Sequence, residues 1–343
     1  MRRAVGIMVS IFLYSLQSYA QDPAFSQFYA SPLSLNPALT GKFNGSLRFC
    51  ANHRTQYNSI NNAFSTSTIS IDAPLFEKNK ITEDRWALGI MMMSDMSSNN
   101  ILKSNFLSLS TAYFKKIDET NNSQLGIGFQ ATYVNNNIDG TRLQFENGYD
   151  NFSGAWNISP TEKINQLNAS FNYLDINAGI LYSNSTDGIN YNYFGLSLYH
   201  LNGHKITFPG SSIFNIQPRI TLHAGTSFEL LNPNTYLYLS TNYSKQSTSS
   251  NLIFGGSLAL EFNTEYEMSN KIYIGSWLRM NEVLESLIPT IGLDYNDFSI
   301  GLSYDINISS LKTASNGKGG MELSLIYRKN KSSGTKEIPC PTF

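Results

Sequence analysis

The chain of 343 residues carries 24 Lys and Arg against 25 Asp and Glu, a formal net charge of -1, and its 14% charged residues fall well below the usual figure of about 25%. That balance offers no basic surface to a phosphate backbone, which excludes nucleic acid as a partner. Aromatic residues reach 13%, with 20 Tyr and 21 Phe beside 24 Gly, a composition that fits membrane strands with aromatic girdles around a polar lumen.

The first residues set the compartment. Arg2 and Arg3 precede an apolar run over residues 4–16 and a small-residue ending, Ser18-Tyr19-Ala20, the pattern of a secretory signal peptide (residues 1–20) cleaved before Gln21. The run is shorter than the roughly 18 residues that a spanning helix wants, and no cysteine stands at the cleavage point to carry a lipid. Residues 21–42 have another character. Pro23, Pro32 and Pro37 forbid a regular strand or helix through them. Phe25, Phe28, Tyr29, Leu33 and Leu35 make them too apolar for a disordered leader. An ordered, irregular segment packed in the periplasmic mouth or lumen is expected, with Arg48 and Glu322 of the first and last strands as neighbours and Asp22 or Asn36 hydrogen-bonded to them.

Two-residue alternation then recurs from residue 46 to residue 327, in about fourteen segments of roughly the 9 to 11 residues that a tilted membrane strand needs. The fifth sets Leu125, Ile127, Phe129, Ala131 and Tyr133 against Gly126, Gly128, Gln130 and Thr132. The eighth sets Ile220, Leu222, Ala224 and Phe228 against Thr221, His223, Gly225, Ser227 and Glu229; the thirteenth sets Ile300, Leu302, Tyr304 and Ile306 against Ser299, Gly301, Ser303, Asp305 and Asn307. The last sets Met321, Leu323, Leu325 and Tyr327 against Glu322, Ser324 and Arg328. A soluble sandwich alternates equally well. Connection lengths decide. If the first strand is entered from the periplasm, the long connections, residues 135–169, 201–216 and 309–319, fall outside, and tight ones such as 231–234 and 295–297 fall inside. Inner connections near 74–84 and 115–122 are longer than that rule prefers. The fold expected is all-β: a transmembrane antiparallel up-and-down β-barrel of about fourteen strands over residues 43–328, surrounded by lipid of the cell outer membrane. A polar periplasmic extension follows over 329–343.

Chemistry is sparse along the chain. His200 and His204 are four apart, but that spacing shares a face only on a helix, and no third metal ligand accompanies them. His53 and His223 read as lumen or loop residues. Gly126-Ile127-Gly128 lies inside a strand, so ordinary strand glycine explains it better than a phosphate loop. Glu83-Asp84 beside Arg85 reads as solvated charge in a turn. No nucleophile elbow and no convincing Ser, His and Asp set appears, so no enzyme, cofactor or metal site is expected. Cys50 and Cys340 can pair in an oxidising periplasm or remain two separate thiols. The longest connection carries Phe145, Tyr149, Phe152 and Trp156, and such aromatic enrichment points to a partner-facing or lumen-capping loop.

The start of the mature chain, Gln21-Asp22-Pro23-Ala24-Phe25-Ser26-Gln27-Phe28-Tyr29-Ala30-Ser31-Pro32-Leu33-Ser34-Leu35-Asn36-Pro37-Ala38-Leu39-Thr40-Gly41, resembles that of the PorP/SprF family of Bacteroidetes membrane proteins. Arg48, Arg54, Gln56 and Ile60 are similar to the family's first strand and loop, and Ile338-Pro339-Cys340-Pro341-Thr342-Phe343 to its ending. The resemblance implies a role in type IX secretion, with a secreted protein bearing a C-terminal sorting domain and secretion subunits as partners; some members of the family serve gliding adhesins. It carries over no catalytic residue. The candidate partner or plug contacts are Phe25, Phe28, Tyr29, Asn36, Pro37, Arg48, Arg54, Phe145, Tyr149 and Trp156. The rival reading is a porin or uptake channel for small solutes.

Overall fold

A backbone that crosses hydrocarbon must satisfy its own N–H and C=O groups, and a sheet does so only when its two edges meet. In the computed structural model that closure is complete, because fourteen antiparallel strands form one ring in sequence order and the first pairs with the last. The structure describes residues 22–329 apart from 58–63, 78–83, 99, 119–122, 144–148, 151, 154, 157–167, 186–189, 208–212, 233, 263–269 and 311. The expected signal peptide, Gln21, Ile60, Glu83, Phe145, Cys340 and the extension beyond residue 329 lie outside the described residues.

One half of the wall is β1 (Leu47–Gln56), β2 (Phe64–Glu77), β3 (Arg85–Ser97), β4 (Leu102–Lys116), β5 (Ser123–Ile138), β6 (Ala169–Ser185) and β7 (Tyr191–Tyr199). The other is β8 (Arg219–Glu229), β9 (Thr235–Gln246), β10 (Ser249–Phe262), β11 (Asn270–Met280), β12 (Leu284–Tyr295), β13 (Phe298–Asn307) and β14 (Lys318–Lys329). Faces follow the sequence period: in β5, Leu125, Ile127, Phe129 and Tyr133 point outward while Gln130 and Thr132 are buried inward. In β2, Pro74 has no N–H to give the ladder, and pairing with β3 shifts register between Pro74 and Phe76.

The two ends of the barrel differ. The longest connections, 139–168 and 200–218, lie at one end, while every connection at the other, such as 230–234 and 296–297, is short. Outward aromatic rings mark the short-turn end, with Trp86 against Tyr113 at 5.9 Å and Phe298 against Tyr327 at 5.0 Å between centroids.

Three expectations need correction at the wall. β5 runs on to Ile138 where a loop from residue 135 is expected, because its asparagines pair side chain to side chain instead of by apolar contact. Asn135 donates to Asn172 at 2.6 Å, and Ser104 donates to Asn136 at 2.5 Å. His53 faces outward, not into the lumen or a loop, with Nδ1 2.8 Å from Ser67 Oγ. It opens a polar row, Ser67, Ser94, Asn105, Asn135 and Asn172, in direct cross-strand register over β1–β6. An outward face that turns polar is where strands leave the hydrocarbon. Residues 74–77 and 115–116, expected in connections, likewise belong to β2 and β4.

A ring with no free strand edge resists unravelling by detergent, so the protein is expected to migrate faster on gels unheated than boiled. Removing residues 330–343, which lie beyond the last strand, should leave that difference intact. Equal mobility of heated and unheated samples would contradict the closed ring.

Candidate functional site

Inward-facing positions of the strands bury many charged and polar side chains, among them Arg48, Arg54, Asp72, Arg279, Asp305 and Glu322. Such groups are costly to bury unless each is paired or hydrogen-bonded. Residues 22–42 fill the lumen and supply much of that pairing. They form an irregular rod with three single helical turns, Phe28–Ala30, Pro32–Leu35 and Pro37–Leu39. Pro32 and Pro37 open the second and third, where a missing N–H costs nothing. Phe25, Phe28, Leu33, Leu35 and Leu39 are buried, each gaining about 1.5–3 kcal/mol over exposure to water. Tyr29 packs between Phe28 and Trp277, with ring centroids 5.5 Å from each.

The contacts of this plug descend the lumen in order. At the long-loop end, Asp22 Oδ2 is 2.8 Å from His200 Nε2 and 3.1 Å from Arg219 Nη1, and the Asp22 N–H donates to Gln246 at 2.9 Å. Below lies a buried charge cluster. The N–H groups of Ser26 and Gln27 donate to the two oxygens of Glu322 at 2.7 and 2.9 Å, and Asn52 donates to it at 2.9 Å. Asp305 receives Arg54 at 2.7 Å, Arg279 at 2.5 Å and the Ser26 hydroxyl at 2.8 Å, while Arg54 also donates to the Ala24 carbonyl.

Midway down, Gln130 donates to the Leu33 carbonyl at 3.0 Å and Ser197 to that of Leu35 at 2.8 Å. Near the short-turn end, Arg48 makes a two-point pair with Asp72 at 2.7 and 3.0 Å and donates to the Leu39 carbonyl at 2.9 Å. Asp72 also accepts the Gly41 N–H at 2.6 Å, and Lys42 reaches Gln124 at 2.7 Å.

The tightest seat belongs to Asn36 and Pro37. Asn36 is fully buried; its side-chain oxygen accepts the Ala38 N–H at 2.8 Å, and its amide reaches the Ile180 carbonyl at 3.0 Å and His223 Nε2 at 3.0 Å. This approach is possible only where the wall has no side chains. A Cβ on Gly179 would overlap Asn36, one on Gly128 would overlap Pro37 and Ala38, and one on Gly195 would overlap His223. Gly126-Ile127-Gly128 is therefore more than ordinary strand glycine, since Gly128 is a recess for the plug.

Of the residues singled out in the sequence, Phe25, Phe28, Tyr29, Asn36, Pro37, Arg48 and Arg54 come together in the lumen. Tyr149 does not join them: it lies on the short ribbon Tyr149–Asp150 with Ala155–Trp156, in the longest connection. Asn36 and Asp22 are not partners of the first and last strands as expected, but bind residues of β6–β9 and the connection beside them. Sequence reasoning missed Ser26, Gln27, Asp72, Asp305 and Arg279. An inward-phase charge on a membrane strand is the one signal that marks the last three.

Above the plug the lumen opens into a vestibule of about 610 Å³ at the long-loop end. Its floor is Asp22, Pro23 and Ala24, and Tyr57, Phe64 and Phe171 are among the residues of its wall. The volume lies within the roughly 300–1,000 Å³ range of ligand sites. Among the described residues no group of His, Cys, Asp and Glu is placed to hold a metal. His200 pairs instead with Asp22 and with Asp175, 3.0 Å from its Nδ1.

The family described as "Type IX secretion system membrane protein PorP/SprF" matches residues 17–327. The chain belongs to the PorP/SprF family. Like the barrel itself, this membership places the protein in the outer membrane, as a membrane component of type IX secretion. No curated protein sequence matches significantly. Among solved structures, this PorP/SprF barrel is similar to the CymD monoaromatic hydrocarbon channel, at 10% identity over 91% of this chain and 96% of that one, with a TM-score of 0.48. It is similar to the P. putida toluene transporter TodX at 8% identity over 87% and 93%, TM-score 0.46, and to the KdgM porin at 9% over 82% and 98%, TM-score 0.36.

Filling the seat should expel the plug without opening the ring. Gly179→Val in this PorP/SprF barrel is expected to cost about 1–3 kcal/mol through overpacking. It should expose Phe25 to Tyr29 to chymotrypsin while heat-modifiable mobility survives; unchanged protection would show that the recess is not needed.

The clasp at Asp22 should also depend on pH. Burial opposes both charges, but Arg219 and then His200 hold the Asp22 carboxyl below its usual range, and the Asp22 and Asp175 carboxylates outweigh burial to push His200 up to about 9. The Asp22 contribution is present above about pH 4 and lost as pH falls through its lowered folded value. That of His200 is complete below about pH 6.5 and is lost as pH rises through about 9. Chymotryptic cleavage after Phe25, normalised to a peptide standard, should be slow near neutral pH and accelerate above pH 9. Asp22→Asn should cleave readily at both values, and a rate independent of pH in the parent protein would refute the clasp.

Proposed function

We propose that this barrel is a non-catalytic support in type IX secretion, which helps export or anchor a partner surface protein bearing a C-terminal sorting domain, in company with other secretion subunits. The observation that carries this reading is the plug: residues 22–42 occupy the lumen and are bonded into the wall from Asp22 to Lys42. A conduit for proteins or solutes would need that space, whereas a support needs rigidity and an outer surface. On this reading the long-loop end faces the cell exterior, as connection lengths favour, and residues 139–168 and 200–218 with the vestibule between the walls receive the partner. The resemblance makes a gliding adhesin a candidate partner.

Affinity purification in mild detergent from the native membrane should retain a secreted protein with a sorting domain or secretion subunits. Replacing residues 139–168 with a short Gly/Ser turn should abolish that retention while the barrel still assembles. In planar bilayers the intact protein should conduct poorly, and deleting residues 22–40 should open it. A large, persistent conductance of the intact protein, with no partner retained, would establish the uptake channel instead.

A further inference from the structure

The first strand starts and the last strand ends at the short-turn end, with the Ser46 N–H donating to the Lys329 carbonyl at 2.8 Å. Asp22, some twenty residues earlier, is at the opposite end. Its partners there are His200 just beyond β7, Arg219 at the start of β8 and Gln246 at the end of β9, all at the long-loop rim. Between these points the chain contacts the wall at successive depths, through Ser26 to Glu322, Leu35 to Ser197, Thr40 to Ser110 and Lys42 to Gln124. The plug thus spans the lumen from rim to rim.

We infer that the amino-terminal segment crosses the membrane inside its own barrel, so that the start of the mature chain belongs to the exterior interaction surface and forms the floor of the outward-facing vestibule. A partner segment entering the vestibule from outside meets Asp22, Pro23 and Ala24 before anything deeper in the lumen. Asp22 also bonds His200, the first residue of the connection over 200–218, and Arg219 just after it, so the same segment ties down both ends of that exterior loop. The inference rests on the orientation of the barrel and not on the identity of any partner.

The test uses whole cells expressing the full-length protein with Cys50→Ser and Cys340→Ser, and a thiol reagent that does not cross membranes. Three single variants are compared: Ala24→Cys on the vestibule floor, Ser97→Cys on its wall, and Asp297→Cys in the turn between β12 and β13. Heat-modifiable mobility of each checks that it has folded. Ala24→Cys and Ser97→Cys should label in intact cells, and Asp297→Cys only after the outer membrane is permeabilised. The inference is overturned if Ala24→Cys labels only after permeabilisation, or under neither condition while Ser97→Cys reacts. Labelling of Asp297→Cys but not Ser97→Cys in intact cells would invert the barrel and overturn it as well. Loss of partner retention would leave these labels unchanged, so the two readings fail separately.

Discussion

Inside a membrane barrel a buried carboxylate has little water to fall back on, and Glu322 is satisfied by the chain's own amino-terminal backbone. Ser26 and Gln27 give it their N–H groups, and Arg54 Nε stands 3.7 Å away. Removing one member of a buried ionic set leaves the others uncompensated, at a typical cost of about 3–5 kcal/mol. Asp72 repeats the arrangement nearer the other rim, shared between the Arg48 guanidinium and the Gly41 N–H. Wall and plug therefore stabilise each other, and neither is complete alone.

The shape of the plug follows from the same constraint. A regular helix would spend its N–H and C=O groups on itself, whereas single turns broken by prolines leave carbonyls at Leu33, Leu35 and Leu39 for Gln130, Ser197 and Arg48. The prolines also reduce the freedom lost on ordering. Where the rod lies against the wall at Asn36 to Ala38, the wall recedes to Gly128 and Gly179.

Strand number and facing are legible in the sequence because lipid imposes a two-residue period that few other environments enforce over fourteen strands. The proline and aromatic content of residues 22–42 also marks a packed segment. Its depth is not legible, since Asp22 and His200 lie 178 residues apart and neither carries a motif. The recess is hidden for a different reason: a glycine records the absence of a side chain, not what fills the space. His53 misleads because an imidazole beyond the hydrocarbon edge alternates in phase with lipid-facing neighbours. The asparagines at 135–137 mislead because hydrogen bonding between side chains, unlike burial, leaves no apolar pattern.

Arg54 and Glu322 are direct cross-strand neighbours on the first and last strands, as are Asn52 and Ser324. Ser26 and Gln27 bond directly to Glu322 and Ser324 of the last strand, and Asn52 and Arg54 of the first strand hold Glu322 from across the seam. Before the seam zips, Glu322 lacks the Asn52 and Arg54 side chains that hold it. A fully supported Glu322 with Ser26 and Gln27 seated on it therefore reports that the two ends of the sheet have found each other.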